Sequence, residues 1–131
     1  MAGITDRLIK ALLYDDFTQT HNPAAGTTAV ISITGVKYGR HTITSILCSA
    51  ENLTASDFTA TLSVRDASIG GTIRAQHQML VHSQDYDGLS HQCYISGLTD
   101  NALVVEFGTP NASVIQKITA CGFTDGLRSS G

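Results

Sequence analysis

The sequence predicts an all-β protein: an antiparallel, jelly-roll-like β-sandwich that carries a short N-terminal helical arm. From Thr27 onward, apolar residues recur at every second position in short runs rich in β-branched side chains. Clusters of Gly, Asn, Asp and Ser interrupt those runs at the intervals of a sandwich or barrel. Helical spacing occurs once, ahead of the first turn-rich stretch.

The arm is residues 4–14, where Ile4, Leu8 and Leu12, with Ala11, fall near one face at helical spacing. Asp6 sits near its start, where a negative charge suits the helix dipole. So short a helix needs a surface to dock on, its own sheet or a neighbour. Residues 18–28, TQTHNPAAGTT, hold Asn22-Pro23 and Gly26 and read as a turn-rich linker. The clearest strand alternates Phe58, Ala60, Leu62 and Val64 with Thr59, Thr61, Ser63 and Arg65, the pattern of a half-buried strand. Six more strands are expected at 28–34, 41–49, 72–81, 91–96, 102–107 and 114–121. Turn signals separate them at 35–39, 51–52, 66–71, 85–88, 99–101 and 108–111. No helical pattern alternates with these strands, which argues against a doubly wound α/β sheet. Strand order is not legible, so a sandwich and a closed barrel both remain open. The expected organisation is an arm and linker over 1–25, a β-sandwich domain over 26–124 and a small polar tail over 125–131.

At 131 residues the chain makes one domain that needs no metal or disulfide for stability. Charged residues make up 15% of it, well under the usual quarter, and Thr and Ser supply the polar surface instead. Such a surface loses little solvation when a partner covers it, which suits an assembly component. The net charge is −3 and no two Lys/Arg residues are adjacent, which speaks against nucleic-acid binding by phosphate neutralisation. Apolar runs are a few residues long, so no membrane span is expected. Asp6, Arg7 and Lys10 interrupt the N-terminus, which does not read as a secretory signal. Cys48, Cys93 and Cys121 are odd in number and lack zinc-type spacing; they read as free thiols of a reducing cytosol.

No constellation announces catalysis, a cofactor or a metal. His77 and His82 are five apart and face opposite sides of a regular strand; His41 and His91 each begin an expected strand. Asp85-Tyr86-Asp87-Gly88 resembles the start of a calcium loop, but no closing Glu follows, so a tight Asp-Gly turn is expected there. A cation at Asp85 and Asp87 stays open. Asp87, Ser90 and His91 have the residue types of a hydrolase triad without its nucleophile elbow. Neither a Walker nor a G-x-G-x-x-G pattern is present, and with no Trp and 6% aromatics the chain lacks stacking platforms. Tyr offers contact area and a hydrogen bond at low entropy cost, so Tyr14, Tyr38, Tyr86 and Tyr94 are candidates for interface contacts, and Tyr38 and Tyr86 fall in expected loops. The expected partner-binding residues are therefore Ile4, Leu8, Leu12 and Tyr14 of the arm, with Tyr38 and Tyr86.

The order of strand starts carries a resemblance. Ala29-Val30-Ile31-Ser32-Ile33 is followed by Arg40-His41-Thr42-Ile43-Thr44-Ser45-Ile46, then by Phe58–Val64 closing on Arg65-Asp66 and Ile69-Gly70-Gly71-Thr72. Asn101-Ala102-Leu103-Val104-Val105-Glu106-Phe107 and Gln116-Lys117-Ile118-Thr119-Ala120-Cys121-Gly122-Phe123 complete the series. Over about residues 26–123 the chain resembles the small β-sandwich virion proteins of tailed bacteriophages, which include capsid decoration (cement) proteins. The arm and the Asp85–Gly88 stretch depart from that pattern. The resemblance implies a mechanical, non-enzymatic role: binding the major capsid protein at capsomer junctions, often as a homotrimer, and bracing the head shell of a virion assembled in the host cytoplasm. The alternative it leaves is a tail-, baseplate- or fibre-associated protein that binds a host-surface glycan.

Overall fold

A computed structural model describes residues 15–126. The helical arm expected over 4–14, with Ile4, Leu8, Leu12 and Tyr14, lies outside the described residues, as do residues 127–131 of the tail. The described chain forms eight strands: β1 (Asp15–His21), β2 (Val30–Ile33), β3 (Gly39–Asn52), β4 (Phe58–Asp66), β5 (Ile73–Val81), β6 (Asp85–Ser96), β7 (Leu103–Phe107) and β8 (Val114–Gly126). There is no helix among the described residues.

The strands build two antiparallel sheets, ordered β1-β8-β3-β6 (sheet A) and β2-β7-β4-β5 (sheet B). Within each sheet the pairs β1 with β8, β2 with β7, β3 with β6 and β4 with β5 nest like one long folded hairpin. Rolling that hairpin joins β3 to β8 and β4 to β7, which is the jelly-roll order.

Alternation explains which side chains the sheets trap. Ala60, Leu62 and Val64 of β4 are buried, as are Ile31 and Ile33 of β2, and they meet Ile46, Cys48 and Ala50 of β3 and Ile118 and Ala120 of β8 in one apolar core. Phe107, at the end of β7, is among its largest fully buried side chains. Ile43 and Ile46 both point inward although they stand three positions apart, an odd step. A β-bulge between Ile43 and Ser45 absorbs the odd step.

Buried polar side chains pin the sheet ends. Gln116 accepts from the Ala29 N–H and donates to the Gly108 carbonyl, both at 2.9 Å. Asn52 donates to Ser56 O at 2.8 Å and Val81 O at 3.1 Å, while its carbonyl accepts from Thr54. Arg74 pairs with the buried Asp66 at the end of β4. Each bond satisfies a group whose burial would otherwise cost about 1–3 kcal/mol.

Four expectations are corrected. Residues 15–21, overlapping the expected linker, form β1, because their backbone completes the ladder along β8. Asp85–Gly88 is not a turn: the chain reverses at His82–Gln84, with Gln84 at a φ of 59°, and Asp85–Gly88 pairs with Ser49–Asn52 as the start of β6. His91 consequently lies inside a strand instead of beginning one. Strand β8 also runs two residues into the expected tail, through Gly126.

Candidate interaction surface

The outer face of sheet A is set by its register. Reading across β1, β8, β3 and β6, one row is Thr20, Thr119, Leu47 and Ser90. A second is Thr18, Cys121, Ser45 and Gln92, and a third is Asp16, Phe123, Thr42 and Ser96. Toward the other end stand Lys117, Ser49 and Gly88, then Ile115, Glu51 and Tyr86. The face is therefore mostly hydroxyls, with few charges and several apolar side chains. Some of its hydroxyls bond each other, Thr20 to Thr119 and Thr42 to Ser96, both at 2.9 Å.

Leu47 is 59% exposed, Tyr86 70% and Tyr94 71%. The Tyr94 ring leans on Phe123 with ring centres 6.1 Å apart. Gly88, having no side chain, leaves a shallow hollow of about 500 Å³ bordered by Leu47, Tyr86, Ser90, Lys117 and Thr119. Exposed aromatics on a lightly charged sheet are cheap to desolvate and rigid enough to pack against, which is what an interface core requires.

The expected partner residues fare unevenly. Tyr86 belongs to this face, on a strand and not in a loop. Tyr38 does not: it sits in the turn before β3 at a φ of 63°, with its N–H bonded to Asp100 and the Lys37 ammonium 5.1 Å from its ring centre. Tyr38 and Tyr86 flank opposite ends of β3, about 40 Å apart along the strand. Ile4, Leu8, Leu12 and Tyr14 lie outside the described residues. Tyr94, also a candidate by residue type, does belong to this face, leaning on Phe123. Sequence reasoning missed Leu47 and Phe123, whose one signal is that each is apolar at a position the alternation sends outward.

The histidines divide into structural and peripheral groups. His41 is buried, edge-on to Phe17, with Nε2 donating to Thr34 O at 2.7 Å and Nδ1 paired with the Thr124 hydroxyl at 2.6 Å. Nδ1 of His21 accepts from the Val30 N–H at 3.0 Å. His82 approaches Asp57 at 3.5 Å. Among the described residues no three His, Cys, Asp or Glu side chains come together as a metal site.

All three cysteines are free thiols. Burial pushes the Cys48 thiol from 9.0 up to about 11; the Asp87 charge adds to this and a backbone hydrogen bond at Leu89 opposes it. Burial also raises Cys93. The folded state holds the Cys48 proton at pH values where the unfolded chain has released it. Its contribution to stability is thus complete below pH 9 and is lost as the pH rises toward 11. At pH 8, native-state alkylation read by peptide mass is expected to modify Cys121, half-buried on the outer face, while Cys48 stays unmodified. Equal labelling of the two would contradict this burial pattern.

No protein-family model and no curated protein matches this sequence. Among solved structures, the coat protein of tobacco streak virus is similar with a TM-score of 0.40 and 10% identity over 90% of each chain. A Bacillus endospore appendage protein, from a family of disulfide-linked pili, gives 0.38 and 12% over 89% of each chain. The arabinose-bound MgGH51 α-L-arabinofuranosidase gives 0.33 and 12%, over 92% of this chain and 25% of that one. The coat protein and the appendage protein are β-rich; likenesses of this size say nothing about what the chain does.

Proposed function

We propose that this chain is a structural virion protein, a capsid decoration (cement) protein of a tailed bacteriophage, which braces the head shell through the outer face of sheet A. The observation that carries the reading is the presence of Leu47, Tyr86, Tyr94 and Phe123 on one lightly charged sheet face. A doubly layered β body resists deformation, as a brace must. The assignment to a tailed phage comes from the resemblance in strand starts, and with it come a major capsid protein as partner, a trimeric state and a virion location. The role needs contact surface and no reaction centre.

Co-sedimentation with purified, expanded heads tests the reading. The wild-type chain is expected to bind saturably. The double variant Leu47→Asp, Tyr94→Ala is expected to bind at least about tenfold more weakly, since central interface aromatics often contribute 2 kcal/mol or more. Both side chains are exposed, so the variant keeps its fold. Undiminished binding by the variant, or no binding by the wild type, sinks the proposal.

A second reading, binding of a host-surface glycan by a tail-associated protein, is favoured by a hollow of about 390 Å³ on the outer face of sheet B whose lining includes Thr61, Ser63, Arg65, Gln76 and Glu106. Arg65 and Glu106 pair there at 2.5 Å beside Gln76 and Ser63, which bond at 3.1 Å. Planar polar side chains of this kind can bond sugar hydroxyls. A saturable glycan-array signal abolished by Gln76→Ala would favour this reading over the first.

A further inference from the structure

The two sheets do not close along one side. Strands β5 and β6 are the free edges of sheets B and A on that side, joined by the reversal at His82–Gln84. Between them opens an apolar cleft lined by Ile46, Leu62, Val64, Ala75, Leu89 and Ile95. Proteins blunt a free edge with a short strand, a Lys, a Pro or a bulge, because its unpaired N–H and C=O groups otherwise template another strand. Edge strands β1 and β2 are short, seven and four residues. Strand β5 carries Arg74, and its register with β4 shifts between Val64 and Arg65. Strand β6 is the least guarded edge: it runs twelve residues as one strand, without Lys, Arg or Pro. Its side chains alternate regularly past the register step against β3. Leu89, Cys93 and Ile95 pack on the core side, while Gly88, Ser90, Gln92 and Tyr94 face outward.

We infer that β6 pairs antiparallel with β6 of a second copy, about a twofold axis at His91, so that Tyr94 of each copy covers Gly88 of the other. The spacing within the strand selects the second copy. Gly88 and Tyr94 stand three residues to either side of His91, on the same outer face. Setting His91 opposite its twin therefore sets Tyr94 opposite Gly88 twice and Ser90 opposite Gln92 twice. On the inner face, Leu89 meets Cys93, and both are only partly buried in a single copy. An aromatic ring directly across from a strand glycine shields the backbone that the glycine bares. Gly88 lies in the hollow of about 500 Å³ beside Leu47 and Tyr86, both exposed, so an incoming ring has room and apolar neighbours. Tyr94 leans on Phe123 within its own copy but is 71% exposed, so a turn of χ1 toward the edge loses little packing. Charge sets the same direction. The only carboxylates of β6, Asp85 and Asp87, sit at one end. Antiparallel pairing lays them against the uncharged end of the other copy, Ile95 to Gly97, and holds the two Asp87 about 26 Å apart. Parallel pairing would stack them. The contact is isologous and closes at two copies. It goes beyond the shell-binding reading, and a twofold edge contact can stand beside a threefold one in the same shell.

Disulfide trapping tests this on the full chain with no heads present, in a glutathione redox buffer, with linkages read by peptide mass. Residues directly opposite in an antiparallel pair have Cα atoms about 4.5–5.5 Å apart, within disulfide range. His91→Cys is expected to form a 91–91 bond at least about tenfold faster than Ser32→Cys, an exposed site on edge strand β2, forms a 32–32 bond. Adding Ser90→Lys and Gln92→Lys sets like charges opposite each other at both 90–92 contacts and is expected to slow the 91–91 bond by about tenfold. Adding Tyr94→Ala instead is expected to slow it by about fivefold. All of these side chains are exposed, so the variants keep their fold. A 91–91 bond no faster than the 32–32 bond, or one that either addition leaves unchanged, overturns the inference. Shell binding enters none of these readouts, so the two proposals fail independently.

Discussion

Replacing Gly122 with alanine is expected to lower the stability of the fold by about 3 kcal/mol or more, among the larger effects of a single methyl group. Gly122 lies in β8 between Phe17 of β1 and Ile43 of β3. An added Cβ there would stand 2.0 Å from the Thr42 carbonyl oxygen, 2.6 Å from the Phe17 ring and 3.0 Å from the Ile43 Cα. Two of those three atoms are backbone, held by the ladder beside the bulge, and cannot turn aside as a side chain can. Relief requires β3 and β8 to separate where sheet A is most extensively paired. Gly108→Ala is the control, since its Cβ would meet nothing closer than 4.0 Å; it is expected to change stability by less than about 0.5 kcal/mol. Urea midpoints read both variants, and a Gly122→Ala midpoint matching wild type would show that the strands accommodate the methyl.

Phe107→Ala is expected to cost about 3–5 kcal/mol, through lost transfer energy and the cavity left behind. Phe107 is 2% exposed, pairs with Leu62 across β4 and β7, and its N–H bonds to the Ala29 carbonyl at 3.0 Å. It thus spans the core where sheet B meets the loop before β2. Phe107→Leu keeps most of that volume and is expected to cost less than about 1.5 kcal/mol. Equal losses for the two variants would mean that the aromatic shape, and not the filled volume, matters at this position.

The strand bodies were legible because alternation is a local property. Ala60, Leu62 and Val64 face the core where period two puts them, and Ile31, Ile33 and Ile118 are buried inside expected strands. Errors gathered where pairing overrides local preference. Thr18 to His21 looked like linker because Thr, Gln and His next to Asn-Pro have weak strand character, yet β8 offers them a ladder. Asp85 to Gly88 looked like a turn because Asp and Gly favour turns, yet β3 extends far enough to hold them in register. The interaction surface was half visible: Tyr86 was singled out from its residue type, while Leu47 hid within the apolar run Ile46-Leu47-Cys48, whose facing depends on the bulge one turn of the pleat away.

Residue order alone, then, established an all-β body, the location of most strands, free cysteines and a surface poor in charge, because periodicity, composition and thiol spacing act over a few residues. Tertiary structure decided that the β strands divide into two nested four-stranded sheets, that Leu47, Tyr86, Tyr94 and Phe123 share one face, and that an apolar cleft opens between β5 and β6. Those outcomes depend on which distant strands exchange hydrogen bonds and in what register, and one bulge is enough to reverse the side to which a row of side chains points.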